Sequence, residues 1–276
     1  MKGKKSNIVI YILLVILAVI FLAPIFIILF NSFKGKLYIS DAPFKLPTAE
    51  TFVGMQNYID GLSKTGFLSA FGWSIFITFF STIVIVLFTS MTGWYITRAK
   101  NKVSTALYFI FVFSMIVPFQ MVMFTMSKVA NMLSLDNPIG LIVLYLGFGA
   151  GLSIFMFSGF VKSIPIDIEE AALIDGCNPI KTFFLIVLPL LKPICITVAI
   201  LNVMWIWNDY LLPSLVLKSD YKTIPMAVQY LRGGYGAIDM GAMMAILVLA
   251  IIPIIIFYLT CQKYIIEGVA AGAVKG

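Results

Sequence analysis

Four residues between positions 202 and 209 have types and a spacing that suit the binding of a neutral polar solute. Asn202, Trp205, Asn208 and Asp209 follow one another at i, i+3, i+6 and i+7. At about 100° per helical residue, they fall within one sector of roughly 120°. Amide and carboxylate groups exchange hydrogen bonds with hydroxyl groups, and an indole offers a flat face for stacking. The same groups can instead bond to neighbouring helices, and the sequence leaves both roles open.

Composition excludes several other kinds of site. The chain has no histidine, which rules out histidine-based catalysis and histidine proton relays. Cys177, Cys195 and Cys261 show neither paired nor metal-ligand spacing, so we interpret them as small apolar residues. No run resembles GxxxxGK[ST], so we expect no nucleotide hydrolysis through a P-loop in this chain. We therefore predict no catalytic residues, no metal, no cofactor and no enzymatic activity.

The bulk composition is that of an integral membrane protein. Of 276 residues, 61% are hydrophobic and 11% are charged, whereas a soluble domain carries roughly 25% charged residues. The mean hydropathy is +1.05. A net charge of +7 is compatible with nucleic-acid binding, but lysines near the ends of apolar segments are better explained as topology signals. We predict an all-α integral membrane protein that contacts lipid and binds no nucleic acid.

Six apolar segments are long enough to cross a bilayer. About 20 helical residues, at ~1.5 Å each, span ~30 Å of hydrocarbon. The predicted spans are residues 8–30, 71–97, 105–126, 139–161, 194–217 and 242–261, within a single transmembrane domain of residues 1–276. The first is too long for the apolar region of a signal peptide, and no Ala-x-Ala site follows it, so we predict an uncleaved span.

Two basic clusters orient the spans. The N-terminal segment "MKGKKS" carries three lysines, and the connection "RAKNKVS" after the second span carries three basic residues and no acidic one. Because basic residues concentrate on the cytoplasmic side, both segments are predicted to be cytoplasmic. An even number of spans then places both termini in the cytoplasm. Residues 31–70 form an outer loop that is folded or partly helical.

The sequence predicts a helix–turn–helix in the connection between the fourth and fifth spans, which we call the elbow (residues 165–189). Asp167 and Glu170 are spaced as a capping box, with Asp167 as the N-cap. Gly176 is placed to end the first helix in a left-handed conformation. Asn178 and Pro179 have the N-cap and first-position preferences of a second helix.

The second arm of the elbow carries an apolar stripe that Pro189 ends or kinks. Its members recur at i, i+3, i+4, i+7 and i+8: Ile180, Phe183, Phe184, Val187 and Leu188. We expect the aromatic residues to anchor this arm against the spans. The elbow is then either an interfacial amphipathic connector or a docking element for a cytoplasmic partner, and the helix signals favour neither.

A resemblance favours the docking element. The elbow resembles the EAA signature of ABC importer permeases at all of its fixed positions, which are Glu170, Ala171, Ala172, Gly176, Ile186, Leu188 and Pro189. Four more segments resemble the maltose-type carbohydrate branch, and specifically its second permease subunit: "GWYITR", "MIVPFQ", "WNDYLLP" and "QKYIIEGVAAGAVKG". The departures are Trp94, Thr97, Val117, Cys177 and Glu267.

The resemblance implies a fold, a function and partners. The fold is that of an ABC type I importer permease, with six transmembrane helices and the elbow as a cytoplasmic coupling loop that docks into a cleft of the ATPase. The function is uptake of a sugar, either an oligosaccharide or a disaccharide, across the plasma membrane. The partners are a homologous permease forming a heterodimer, two ATP-hydrolysing ATPase subunits and an extracytoplasmic sugar-binding protein.

Two further segments are weaker candidates for function. Gln120 follows Pro118 in the third span, but a proline beside an amide is often only structural. In the last outer loop, the resemblance implies contact with the binding protein through Tyr230, Arg232, Gly233, Gly234 and Tyr235. An ordinary connecting loop often has such residues as well.

The alternative class is an ion-coupled secondary transporter that acts without an ATPase. Such a protein uses ionisable residues within its spans. Here Asp209 is the one clear acidic residue inside a predicted span, and histidine is absent from the sequence. We therefore favour the ATP-driven importer.

Overall fold

The computed structural model of the chain describes residues 2–231 and 239–273, with side chains described for 8–229, 231 and 239–264. Within this part of the chain all regular secondary structure is helical, apart from an isolated antiparallel bridge between Lys34 and Phe52. The helices are α1 (Lys2–Asn31), α2 (Lys36–Asp41), α3 (Gln56–Thr65), α4 (Phe67–Arg98), α5 (Lys102–Ser114), α6 (Phe119–Met132), α7 (Pro138–Val161), α8 (Asp167–Ile174), α9 (Pro179–Thr182), a π-helical turn (Phe183–Val187), α10 (Leu188–Leu190), α11 (Lys192–Asn208), α12 (Leu211–Val216), α13 (Ile224–Tyr230) and α14 (Met240–Ala273).

Between four and six membrane spans fit these helices. Four described helical segments are long and apolar enough by themselves: Ile8–Asn31, Phe67–Arg98, Pro138–Val161 and Met240–Tyr264. The number reaches six when two bent pairs each count as one span. These pairs are α5 with α6, bent by 105°, and the segment Pro179–Leu190 with α11, bent by 77°.

The predicted third and fifth spans are not single continuous helices. A proline ring clashes with the carbonyl group four residues earlier when the helix continues through it. Pro118 therefore opposes continuation through Ser114, where α5 ends. Pro213 likewise opposes continuation through Asp209, and α11 ends one residue before it at Asn208. The predicted spans 105–126 and 194–217 are therefore each interrupted at these points.

One compact unit comprises residues 1–70 and 226–255. Its segment 31–66 contains α2 and α3, so the predicted partly helical loop is confirmed. The buried Asn57 amide donates to the carbonyl groups of Ser32 and Lys34, each over 2.8 Å. Lys64 Nζ lies 2.6 Å from Asp239 Oδ2, and this hydrogen bond raises the pKa of Lys64 above its usual value. These bonds tie α3 to the chain before α2 and to the start of α14.

The second unit comprises residues 71–225 and 256–276. Its described apolar core joins the end of α7, the elbow and α11. The buried members are Phe157, Val161, Ile164, Phe183, Val187, Leu191 and Val198. Close packing, rather than removal of apolar groups from water, holds helices together in a membrane, so this cluster fixes the elbow on the helices beside it.

Gly149 on α7 permits a close approach of three helices in this unit. A Cβ atom at this position would lie 2.8 Å from Ile85 Cδ1 on α4 and 3.0 Å from Asn202 Oδ1 on α11. Both distances are shorter than ordinary contacts of a Cβ atom, so a side chain here would require Ile85 and Asn202 to shift. Glycine at position 149 therefore brings α11, with its polar residues, against α7.

Candidate functional site

The elbow is tied to α4 by a group of three residues that we call the clamp (Trp94, Arg98 and Glu169). Arg98 Nη2 donates to Glu169 Oε1 over 2.7 Å, and Arg98 Nε donates to the same oxygen over 2.9 Å. Trp94 Nε1 donates to Glu169 Oε2 over 2.8 Å. The Glu169 side chain is only 7% exposed. Because both carboxylate oxygens are bonded within the chain, Glu169 holds the first turn of α8 on the end of α4.

Arg98 also fixes the chain that leads into the elbow. Its Nη2 atom donates to the carbonyl of Ile164 over 2.9 Å. The indole of Trp94 packs on the ring of Phe183, with ring centroids 5.5 Å apart. The end of α4 therefore contacts both arms of the elbow. This connection was not predicted from the sequence, although a basic residue at the end of the second span and an acidic pair in the elbow were its visible signals.

The turn of the elbow has the predicted form. Gly176 has φ = +83°, a conformation that glycine adopts without steric cost. The Cys177 N–H donates to the Ala172 carbonyl over 3.0 Å, and the Gly176 N–H donates to the Leu173 carbonyl over 3.1 Å. This pair of bonds closes α8 as a Schellman motif. The predicted N-cap of the second arm is also confirmed, since Asn178 Oδ1 accepts from the Lys181 N–H over 2.9 Å.

The predicted capping box at the start of α8 is wrong. Asp167 is the first residue of the helix rather than its N-cap, and the N-cap position, Ile166, provides no side-chain bond. The Ile166 carbonyl instead accepts from the N–H groups of Glu169 and Glu170, over 2.9 and 3.0 Å. Asp167, Glu169 and Glu170 lie in the first turn of α8, where the helix dipole favours negative charge.

The apolar stripe of the second arm is only partly buried. Phe183 and Val187 are buried, but Ile180 and Phe184 are 67% and 41% exposed. The arm passes through a π-helical turn in which the Leu188 N–H bonds to the Phe183 carbonyl, five residues earlier. Pro189 provides no N–H for a regular helical bond, and a wider turn accommodates this loss. The altered register turns residues 183, 187 and 191 inward.

The outer surface of the elbow carries exposed apolar side chains beside the signature residues. Ile174 is 86% exposed and Leu173 is 53% exposed. Among the signature residues, Glu170, Ala171, Gly176 and Pro189 are exposed, Ala172 is buried, and Ile186 and Leu188 are half-buried. Exposed apolar side chains grouped on a short helical turn are typical of a surface that contacts a protein partner or the membrane.

The polar stripe of α11 is divided between the interior and the surface. Asn202 is 5% exposed, and its amide donates to the Val198 carbonyl over 2.8 Å and lies 3.4 Å from Ser153 Oγ on α7. Trp205 is 40% exposed. Asn208 is exposed and donates to the Met204 carbonyl over 2.7 Å. Of these three, Trp205 and Asn208 have side chains exposed at the surface of the chain.

Asp209 lies beyond the end of α11, and its two carboxylate oxygens have different partners. Oδ1 accepts from the Leu211 N–H over 2.9 Å and so caps α12. Oδ2 accepts from the Tyr145 hydroxyl over 3.0 Å. The Tyr145 ring meets Trp205 edge to face, with centroids 5.4 Å apart. The structure therefore groups Asp209 and Trp205 around Tyr145. Tyr145 was not predicted from the sequence, although it is the one tyrosine of α7.

Gln120 lies on α6, a different helix from those that carry this group. Gln120 is exposed in the first turn of α6, the helix whose Ser127 hydroxyl donates to the Leu215 carbonyl of α12 over 2.7 Å. Tyr230 is the last residue of α13. The other candidates of the last outer loop, residues 232–235, lie outside the described residues.

We expect Asp209→Leu to destabilise the protein. The substitution removes the cap of α12, worth ~1 kcal/mol, and leaves the buried Tyr145 hydroxyl without its acceptor, at a further ~1–3 kcal/mol. Asp209→Asn keeps an acceptor and should have a smaller effect. Thermal unfolding and solute uptake should be measured together on both variants. If Asp209→Leu transports normally with a lowered melting temperature, Asp209 has no role in the transport path.

Comparison with known proteins identifies the family. Residues 85–270 match the model of the family described as "Binding-protein-dependent transport system inner membrane component". The chain belongs to this family, and it is a multi-pass membrane protein of the ABC importer permease class. The match covers the whole elbow and all of α11, so both groups of candidate residues lie within the family domain.

Individual relatives cover almost the full chain. The probable starch degradation products transport system permease protein AmyC of Thermoanaerobacterium thermosulfurigenes is 39% identical over 95% of this chain and 94% of AmyC. The multiple sugar-binding transport system permease protein MsmG of Streptococcus mutans is 35% identical, with 96% of each chain covered. A chain from the crystal structure of a bacterial ABC transporter that imports the acidic polysaccharide alginate has a similar fold, with a TM-score of 0.79 at 24% identity over 96% of this chain and 98% of that one.

These relatives are transport components, in line with the predicted absence of enzymatic activity. They leave the alternative of an ion-coupled secondary transporter without support. The family description itself makes transport dependent on a binding protein. The resemblance found in the sequence is confirmed at the level of the family.

Proposed function

We propose that this chain is one of two homologous permease subunits of an ATP-driven importer for an oligosaccharide or a disaccharide. Two ATPase subunits supply the energy, and an extracytoplasmic binding protein delivers the sugar. The names of AmyC and MsmG, which refer to starch degradation products and to multiple sugars, support this substrate class. Both termini and the elbow face the cytoplasm, as the basic clusters indicate.

The exposed tip of the elbow is the observation that carries the proposal. Leu173, Ile174 and Ile180 are at least half exposed, while the clamp and Phe183 hold the elbow from behind. An apolar tip on a rigid base suits insertion into a cleft of another protein. Movement of the ATPase then passes through the elbow into α4, α7 and α11. The signature residues Glu170, Ala171, Gly176 and Pro189 lie on or beside this contact surface.

The translocation path is proposed to run beside the group formed by Tyr145, Trp205 and Asp209. The exposed part of the Trp205 ring provides a stacking surface for a sugar ring. Asn208 and Gln120 are exposed and provide amide groups for hydroxyl groups of the sugar. Asn202 is buried, so we assign it a structural role in packing α11 against α7 rather than a contact with the sugar. We further propose that residues 230–235 meet the binding protein outside the membrane.

Uptake assays test this function directly. The chain should be expressed with a homologous permease and two ATPase copies, purified and placed in liposomes with the binding protein outside. We expect saturable uptake of a maltose-class oligosaccharide that requires ATP inside the liposomes. Uptake by the chain alone, driven by an ion gradient, would show that the proposed function is wrong.

We expect Ile174→Asp to separate the chain from the ATPase. A charge at the centre of an apolar contact loses its hydration when the partner docks, so binding should weaken by about tenfold or more. Copurification of the ATPase with the tagged permease measures the effect. Ser163→Asp is a matched control, because Ser163 is also exposed near the elbow but outside its tip. Equal copurification of both variants would place the ATPase contact elsewhere.

A further inference from the structure

A cavity of about 450 Å³ lies where α4 ends, α5 begins and α7 ends. Its lining combines the apolar side chains of Ile96 and Phe109 with the hydroxyl groups of Thr105 and Tyr108. Lys100 and Lys162 complete the wall. None of these residues belongs to the elbow or to the polar stripe of α11. The cavity is therefore separate from both groups of residues assigned to transport.

The cavity is positively charged. Its described lining includes two lysines and no carboxylate. Neither lysine takes part in the ion pairs of the described residues. Lys162 Nζ lies 5.8 Å from the centroid of the Tyr108 ring, a cation–π distance that directs the ammonium group toward the cavity wall. Two ammonium groups and a phenolic hydroxyl are strong donors for a phosphate oxygen.

The cavity lies at the depth of lipid headgroups. The candidate spans Phe67–Arg98 and Pro138–Val161 both end beside it, and Lys100 and Lys162 follow within two residues of those ends. At ~1.5 Å per residue, helices of 32 and 24 residues are long enough to extend from the hydrocarbon core into the headgroup region. The two lysines are therefore at the level of the phosphate groups of the bilayer.

One side of the cavity continues into a surface suited to acyl chains. Phe109 is 63% exposed, and Val103 and Ile110 on the same helix are 68% and 62% exposed. A soluble anion would gain nothing from this apolar surface. A phospholipid would place its headgroup between the lysines and its chains along α5, so that each part meets matching chemistry.

We propose that this cavity binds the phosphate of an anionic phospholipid. The Lys100 and Lys162 ammonium groups and the Tyr108 hydroxyl hold the phosphate oxygens, and the acyl chains lie against Phe109 and its neighbours on α5. The site is additional to the transport function and does not depend on it. The shared chemistry of its ligands is a phosphate ester, and a soluble phosphate is the other source that the test must separate.

Binding should be measured on the full chain purified in dodecyl maltoside. Dihexanoyl phosphatidylglycerol is titrated below its micelle concentration, with dihexanoyl phosphatidylcholine, glycerol phosphate and inorganic phosphate as separate probes. We expect saturable binding of the phosphatidylglycerol, weaker binding of the phosphatidylcholine and no competition by the soluble phosphates. Lys100→Ala with Lys162→Ala should weaken binding about fivefold for each lysine, or about twenty-five-fold together.

Two further variants make the result specific. Lys102→Ala with Lys181→Ala removes the same charge from exposed positions outside the cavity, and it should leave binding within about twofold of the wild type. Thr105→Phe keeps every lysine but fills the cavity, so it should weaken binding as well. Because Thr105, Lys100 and Lys162 are exposed, all variants should melt near the wild-type temperature.

Four results would overturn the proposal. Equal loss in the two double-lysine variants would mean diffuse surface charge rather than a site. Unchanged binding in Thr105→Phe would exclude the cavity. Equal binding of phosphatidylglycerol and phosphatidylcholine would exclude recognition of an anionic lipid. Full displacement by inorganic phosphate would retain the phosphate site but overturn its assignment to lipid.

Discussion

Arg98→Ala is expected to destabilise the chain by about 3 kcal/mol and to abolish coupled transport, because it leaves the Glu169 carboxylate buried without its cation. Glu169 is 7% exposed and retains only the Trp94 indole as a partner in this variant. The Ile164 carbonyl loses its donor as well. The elbow should then come away from α4. Thermal unfolding of the chain in detergent and ATP-driven uptake by the assembled transporter measure the two effects.

A double variant separates the ion pair from simple packing. In Arg98→Met with Glu169→Gln, no buried charge remains, and the glutamine oxygen can still accept from Trp94 Nε1. Replacing both members of a buried pair by neutral residues is often nearly neutral for stability, so most of the lost stability should return. Lys102→Ala is the matched single control, because Lys102 is a nearby exposed basic residue. Wild-type melting and uptake in Arg98→Ala would show that the clamp does not hold the elbow.

Gly176→Val is expected to stop uptake while leaving the protein folded and inserted. At φ = +83° a β-branched residue is strongly disfavoured, at a cost on the order of 1–3 kcal/mol. The site is open, with no atom within 4 Å of a Cβ placed there, so the penalty comes from the backbone rather than from a clash. The turn should change its conformation, and Glu170 and the tip of the elbow should lose their alignment with the ATPase.

Gly159→Val provides a control with the same side-chain change. Gly159 lies within α7 and has an equally open surrounding, but it is not among the glycines with positive φ. We expect near-normal ATP-driven uptake in Gly159→Val and a severe loss in Gly176→Val at similar amounts of inserted protein. Sugar-stimulated ATPase activity reports the same difference without a transport step. Normal coupling in Gly176→Val would contradict the elbow as the element that carries movement.

The sequence alone determined the membrane class, the helical architecture and the turn of the elbow. Apolar runs of about 20 residues have few other stable structures, because lipid cannot satisfy backbone hydrogen bonds. Gly176 and the pair Asn178-Pro179 were equally predictable, since a left-handed turn and a helix start depend on the residue at that position. The spacing of the signature residues then identified the family, which the full-length relatives confirmed.

The tertiary structure alone decided which side chains meet. Glu169 lies in the first turn of α8, where the helix dipole favours negative charge, but its partners Trp94 and Arg98 lie more than 70 positions away in the chain. Asp209 looked like part of a helical stripe, but Pro213 ends that helix early, and Tyr145 then binds the carboxylate. Local sequence encodes turns and helix ends because their energies are local. Contacts between helices depend on packing distances, such as the approach that Gly149 allows, and these are set by the whole fold.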